Sequence, residues 1–413
     1  MTQGCTKQLY EWAHGAYNVG MVTQKKQDLH RGLLLLLTAA TGLVVANIYY
    51  SQPLLGLMAE TYGVSELQIS SISMITQIGY ALGLFFIVPL GDKMKRKKLI
   101  LGNFIILIAA LLGAAFSQNP LQLKVASFFI GLGSVTAQVI IPTVAQMASD
   151  EKRGAAIGTV MTGLFIGILG SRTVSGVLGE YIDWPSIYLI AAAMMGVLAI
   201  ILSRALPDIK PEFHGNYGAL LRSIAGQFRA LPQLRLASYR GALNFAGFSI
   251  FWTVIVFLLE EPPFNMGSGV AGTMGLVGIA GVIASMIVGK VSDKVNKNKL
   301  IMVGMAILLA SWIIIGYSSA SLIGLIIGAF LLDLGVQSVH ITNQTIIFAG
   351  NPTARSRINT AYMTLFFIGG SLGTFIGGSL WYYFRWQGVV AAGIVLTVLV
   401  TAIHIAGAKR IHD

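Results

Sequence analysis

Asp333, Gln337, His340 and Gln344 recur at steps of four, three and four residues in an otherwise apolar stretch. At about 100° per residue, those steps put all four on one face of a helix. A carboxyl and an imidazole on one face can take up and pass on protons, and the amides beside them can hold a polar solute. Asp333 falls near the middle of its run, where a charged carboxylate is costly, so its protonation must follow its surroundings. The alternative is a satisfied polar contact between helices, although such a contact needs fewer than four aligned groups. A second isolated charge, Arg172, sits among Gly167, Ser171, Ser175 and Gly176. Small residues four apart let helices approach closely. An arginine at such depth needs a partner or a path to water. Arg172 either snorkels outward, pairs with Glu180, Asp183 or Glu60, or takes part in substrate binding or proton coupling.

The elements that carry these residues follow from composition. Only 11% of the 413 residues are charged and 55% are hydrophobic, against about 25% charged in soluble domains. A soluble chain cannot wrap so much apolar material. Cys5 is the only cysteine, which excludes a disulfide scaffold and a multi-thiolate metal centre. A bilayer crossing needs about 20 apolar residues, and the apolar runs predict twelve helices. They lie near 32–57, 67–90, 99–117, 121–148, 154–179, 185–204, 241–259, 268–290, 300–318, 321–348, 357–384 and 387–408. The runs are too continuous for the alternating strands of a membrane barrel.

Charge gives the expected topology. Of the 28 lysines and arginines, all but Lys124, Arg385 and Arg172 fall in the tails and the odd-numbered gaps. Basic loops stay inside, so both termini are expected in the cytoplasm of a multi-pass cell-membrane protein. Spread over every inner loop, the cations form no nucleic-acid stripe. Residues 1–30 read as a polar cytoplasmic tail, and the first apolar run is too long for a signal peptide. Residues 31–204 and 241–408 then form two six-helix bundles, with a loop at 205–240 and a short tail at 409–413.

The two bundles repeat each other. Asp92-Lys93-Met94-Lys95-Arg96-Lys97-Lys98-Leu99-Ile100 matches Asp293-Lys294-Val295-Asn296-Lys297-Asn298-Lys299-Leu300-Ile301 at five of nine positions, offset by 201. Arg153, Met161, Thr162, Phe165, Ile166, Gly167, Gly176, Leu178 and Trp184 recur 202 residues later as Arg355, Met363, Thr364, Phe367, Ile368, Gly369, Gly378, Leu380 and Trp386. Parallel halves of this kind are a transporter signature. In the central loop Tyr217, Leu220, Leu221, Ile224, Phe228 and Leu231 keep helical spacing with arginines between. That segment reads as a helix on the inner membrane surface, or else as an irregular basic linker.

On these residues the region from about 30 to 408 resembles the major facilitator superfamily, in its twelve-helix drug and sugar efflux branch. The family's loop signature, Gly-x-x-x-Asp-Arg/Lys-x-Gly-Arg/Lys-x-Arg/Lys, is met by Gly289, Asp293, Lys294, Lys297 and Lys299. Asn296 replaces its second glycine. The first copy keeps Asp92, Lys93, Arg96 and Lys98, with Val88 and Lys95 where glycines belong. The resemblance implies a conformational latch in which Asp92 approaches Arg355 and Asp293 approaches Arg153 across the halves. Each exposed pair is worth about 0–1 kcal/mol, enough to bias states a few kcal/mol apart. The bland reading is solvated topology charge. The antiporter pattern Gly-x-x-x-Gly-Pro-x-x-Gly-Gly is incomplete: its proline is missing and Arg172 stands there. The family's arginine in the fourth span is Ser127 here. The family also implies a central pathway bordered by spans 1, 4, 7 and 10, with spans 2, 5, 8 and 11 beside them. Candidates to line it are Asn47, Tyr50, Gln77, Tyr80, Gln138, Asn244 and Trp252. Tyrosine, tryptophan and amides together suit an amphipathic organic molecule.

No P-loop, selectivity filter, nucleophile, metal cluster or carboxylate pair is present in the sequence, so an enzyme, an ATP-driven pump and a channel are not expected. The expected protein is an all-α membrane protein, a monomeric secondary transporter without cofactor. By alternating access it exports a small organic compound against protons. A uniporter or importer of the same fold, or a transport-inactive or lipid-translocating relative, are the other readings.

Overall fold

The computed structural model describes residues 29–149, 151–209, 216–291, 295–349 and 354–412. It is helical throughout. The first half runs α1 (Arg31–Ala46), α2 (Leu55–Tyr62), α3 (Glu66–Phe86), α4 (Leu90–Lys93), α5 (Arg96–Ala115), α6 (Pro120–Ser134), α7 (Thr136–Met147), α8 (Arg153–Tyr181) and α9 (Trp184–Ala205). After α10 (Tyr217–Ala230) the second half runs α11 (Pro232–Glu260), α12 (Ser268–Thr273), α13 (Ile279–Val291), α14 (Lys297–Tyr317), α15 (Leu322–Ala349) and α16 (Arg355–His412). Among the described residues, nine helical stretches are long and apolar enough to cross a bilayer, and Arg31–Ala46 and Ser268–Ala284 are shorter apolar helices. The last stretch, Arg355–Gly407, holds 53 residues, more than two crossings need. It turns at Arg385 (φ 53°, ψ −152°), so the described helices make twelve crossings.

Five spans differ from the expected continuous helices: the second is interrupted between Phe86 and Leu90, the fourth at Val135, and three others bear on the site. The first stops at Ala46 and resumes at Leu55 after a 3-10 turn, Gln52–Leu54. Pro53 in that turn has no N–H to extend the ladder. The eighth is broken by a second 3-10 turn, Met274–Gly278, inside a segment with glycine at every third position from Gly269 to Gly278. The seventh starts earlier than expected, with Pro232 in its first turn. The central loop does carry a helix. Asn216 caps α10 by accepting from the Gly218 N–H, Leu220 and Ile224 are buried, and Tyr217 donates its hydroxyl to the Phe86 carbonyl.

Each half is held by a seam of bare backbone. A Cβ on Gly167 would lie 2.1 Å from the Gly42 carbonyl oxygen, and one on Gly369 would lie 2.1 Å from the Ala242 carbonyl oxygen. Gly167 and Gly369 are partners in the 202-residue repeat, so the repeat in sequence is a repeat in packing. Between the halves, α8 meets α12: Ser268 Oγ donates to the Gly176 carbonyl (3.0 Å) and Thr173 Oγ1 to the Gly272 carbonyl (3.2 Å). Opposite, α3 meets α16 through Gln77 Nε2 to Thr374 Oγ1 (3.1 Å) and the Tyr80 and Phe367 rings (4.3 Å). Arg385 lies 3.0 Å from Glu261 and 3.9 Å from Glu66 at the rim. These contacts all run from mid-span to the end remote from the lysine-rich loops.

Candidate functional site

Three elements converge where the halves meet. Asp333 on α15 is 4% exposed, and Trp252 Nε1 donates to its Oδ1 at 3.1 Å. Trp252 comes from α11, which is buried continuously from Asn244 to Leu259. Gly278 clears the space in front of the acid: a Cβ there would lie 3.0 Å from Asp333 Oδ2. From the other half, α8 delivers Arg172. Its Nε donates to Gln52 Oε1 at 2.7 Å. Its guanidinium lies 4.4 Å from the Trp252 ring centroid, 4.9 Å from Tyr49 and 5.6 Å from Phe248. Each such contact is worth about 2 kcal/mol or more where water is excluded. Trp252 therefore turns its face to the cation and its N–H edge to the acid. The small residues around Arg172 make this reach possible, since a Cβ on Gly275 would lie 2.8 Å from Arg172 Cβ.

Arg172 does not take the ion pairs expected from sequence. Glu180 Oε1 accepts the Gly269 N–H (2.9 Å), Asp183 accepts the Ser186 hydroxyl, and Glu60 is exposed. The arginine points inward because α8 packs closely against α12 and the 3-10 turn after it, at Gly176, Gly272 and Gly275, and leaves the long side chain the gap beside Trp252.

The row on α15 is one face but not one network. His340 Nδ1 lies 2.9 Å from the Tyr362 hydroxyl and its ring packs on Phe366 at 4.7 Å. Seven residues separate Asp333 and His340, about 10 Å along the helix, so no direct proton hand-off joins them. Gln337 and Gln344 are half-buried on this face, and Gly281 makes room for Gln337.

The remaining candidates divide. Gln77 joins the seam through Thr374, which Thr253 also reaches (3.3 Å). Tyr80 is buried with its ring against Phe367 and with Gln138 beside its hydroxyl. Asn244 is buried with no partner for its Nδ2 among the described residues. Two are placed elsewhere. Asn47 donates to the Leu43 and Val44 carbonyls and to Met195 Sδ. Tyr50 lines an outer groove with Leu43, Ser171 and Met194. Both follow from the early end of α1: beyond Ala46 the helical register fails, and Tyr49 takes the place expected of Tyr50. Sequence reasoning missed Tyr49 and Gln52 for that reason.

It also counted Arg240 as a loop charge. Arg240 is buried in α11 and its Nη1 donates to His404 Nδ1 at 2.8 Å. Early initiation of α11 at Pro232 puts it two turns inside the helix. Of the expected latch, Asp293 and Lys294 lie outside the described residues. Asp92 is 3.8 Å from Arg96, Lys93 is exposed, and Arg153 and Arg355 donate to the Ala145 (3.0 Å) and Phe348 (3.3 Å) carbonyls, holding the ends of the preceding spans. The described residues contain no cluster of three metal-ligating side chains.

Two parallel bundles of six spans, meeting at a buried acid, define a secondary transporter by fold. The chain belongs to the Major Facilitator Superfamily, whose model matches residues 35–374 and 240–409. It is 41% identical over 378 residues to the uncharacterized transporter YgaY of Escherichia coli O157:H7, covering 92% of this chain and 96% of that one. It is 30% identical over 377 residues to a probable transporter, SCO4007, of Streptomyces coelicolor, covering 90% and 87%. Among solved structures it is similar to a bacterial homologue of the human lysosomal transporter Spinster in an inward-facing, unoccupied conformation. There the TM-score is 0.77 at 14% identity, over 91% of this chain and 96% of that one.

Proposed function

We propose that the protein moves a small organic solute by alternating access, coupled to protons through Asp333. The observation that carries this is the stack Arg172–Trp252–Asp333. Its cation belongs to one half and its acid to the other, so adding a proton to the acid changes the attraction between the halves. Closure at the end remote from the basic loops supports an inward-open state, with the basic loops and both termini in the cytoplasm of a bacterial cell. Resemblance to the efflux branch supports export against protons. A second reading, proton-driven uptake, is favoured by the partnerless Nη2 of Arg172. The latch of Asp92 with Arg355, and of Asp293 with Arg153, would trap the opposite state.

The experiment needs no substrate. With Cys5→Ser, spin labels at Lys98→Cys and Lys299→Cys report the basic end, and labels at Tyr181→Cys and Tyr317→Cys report the other. Both distances are expected to change between acidic and alkaline buffer, in opposite senses, and to be fixed in Asp333→Asn. Distances that ignore pH, or that still respond in Asp333→Asn, would remove Asp333 from the mechanism.

A further inference from the structure

We infer that Arg172 is the receptor for an anionic group on the solute, so that the transported class is organic monocarboxylates with an apolar or aromatic body. This rests on the reading of Asp333 as the proton site. The arginine is 2% exposed. Gln52 takes its Nε–H, but Nη2 has no partner among the described residues. A guanidinium has five donors and binds a carboxylate in a two-pronged fashion, and a buried donor left unmade is costly. Asp333 does not fill the vacancy: its Oδ1 accepts from Trp252 Nε1, and neither of its oxygens partners Nη2. The titratable groups that bear on Arg172 are Tyr49 and Asp333. With a proton on Asp333 the centre keeps one uncompensated positive charge. An anion neutralises it, whereas a cationic solute adds to it.

The surroundings give the rest of the solute. Tyr49, Phe248 and Trp252 wall the guanidinium. From Phe248 the rings continue to Phe245 (5.4 Å) and on to Phe366 (4.1 Å), a row leading toward the basic end. The void touching Arg172, between Gln52, Pro53 and Ala271, is about 10 Å³, room for one water at most. That void admits no solute, so binding requires the buried ring row to part and open the guanidinium toward the basic end. Proton and anion favour each other's binding, which makes the coupled movement co-transport, the proton-driven uptake of the second reading and not export against protons.

The test uses detergent-solubilised full-length protein and three matched probes in calorimetry: 4-phenylbutyrate, 4-phenylbutyramide and 4-phenylbutylammonium. The carboxylate is expected to bind, more tightly at about pH 5.5 than at about pH 8, where it is ionised in both cases. Arg172→Gln should weaken it about 10- to 100-fold, the loss of a charge-assisted pair, and Arg172→Lys should recover part of that. Asp333→Asn should bind it equally at both pH values. If Arg172→Gln proves misfolded by size-exclusion, the Asp333→Asn pH series and the probe ranking still decide. Preference for the amide or the ammonium, no binding by any probe, or unchanged affinity in folded Arg172→Gln overturns the inference. Should the ammonium bind with a pH dependence that Asp333→Asn removes, the proton reading survives and the anion receptor falls. A pH dependence that persists in Asp333→Asn sinks the proton reading itself.

Discussion

The two halves share a scaffold and differ in their interiors. Gly167 against Gly42 in the first half and Gly369 against Ala242 in the second make the same backbone-on-backbone seam. Among the described residues, buried polar side chains are as many in one half as in the other, but the buried acid and the buried histidine both lie in the second. The second half buries Trp252, Asp333, Arg240 and His404, joined in pairs by hydrogen bonds. The first half sends Arg172 to the buried centre, while Glu180 and Glu66 reach the second half nearer the rim. Duplication thus preserved the packing surfaces, which any six-span bundle needs, while the buried acid and the buried histidine gathered on one side. A moving part with fixed charge and a moving part with switchable charge are more useful together than two copies of either, since only one proton count then has to change.

That contrast can be broken in graded ways. The largest effect is expected from Asp333→Asn, which should abolish pH-driven movement between the labelled ends. Arg240→Met, a buried cation of the same half but remote from the divide, should leave that movement intact. It should still lower thermal stability in detergent by about 1–3 kcal/mol, because His404 loses its donor. Equal loss of movement in both variants would mean that any buried charge in the second half suffices. Next, Gly167→Ala and Gly369→Ala should each destabilise by about 1–3 kcal/mol through overpacking. Gly170→Ala should not, since no atom lies within 4 Å of a Cβ there. Melting curves of the three variants check this, and unequal cost at 167 and 369 would show that the seams are not equivalent. His340→Gln should change the pH response of the labelled ends only slightly, because its partner is Tyr362 and not the acid.

The smallest effect concerns an exposed pair outside the membrane. Lys95 Nζ lies 2.6 Å from Asp208, and both side chains are substantially exposed. The hydrogen bond and charge of Lys95 hold the Asp208 carboxyl below its usual range. A depressed carboxylate contributes stability above its unfolded value and loses it as pH falls through the folded value. Solvent screens this pair, so Asp208→Asn should leave the melting temperature at neutral pH unchanged. The wild-type and variant curves should stay superimposed from neutral pH down into the acid range. A clear divergence would mark the 205–240 connection as a structural brace.

Much of the fold was legible because lipid leaves little choice: long uncharged runs must be helices, and the repeats at Asp92 and Asp293 and at Gly167 and Gly369 declare two halves. Asp333 was singled out by type and depth and Trp252 by its place on a span that the resemblance puts beside the pathway, and the structure brings them within hydrogen-bonding distance. What the sequence concealed were departures from an ideal helix. The helix end at Ala46 exchanged Tyr50 for Tyr49 and brought in Gln52. The 3-10 turn at Met274 let α8 approach closely enough for Arg172 to turn inward. An early start at Pro232 moved Arg240 from loop to interior. A wheel drawn from spacing assumes unbroken register, and each miss lies at or beyond a break in it.

The contact between α8 and α12 is made largely by peptide groups and very short side chains. Most of those peptide groups already satisfy their own helices. Parting them strands few donors and leaves no long rotamers to resettle. A joint of this kind has almost no teeth to disengage, so it can slide or open with small penalty and close again in the same register. The gripping is left to two long residues, Glu180 on the Gly269 N–H and Arg172 beside Trp252, and whatever competes for the arginine holds the key to the joint.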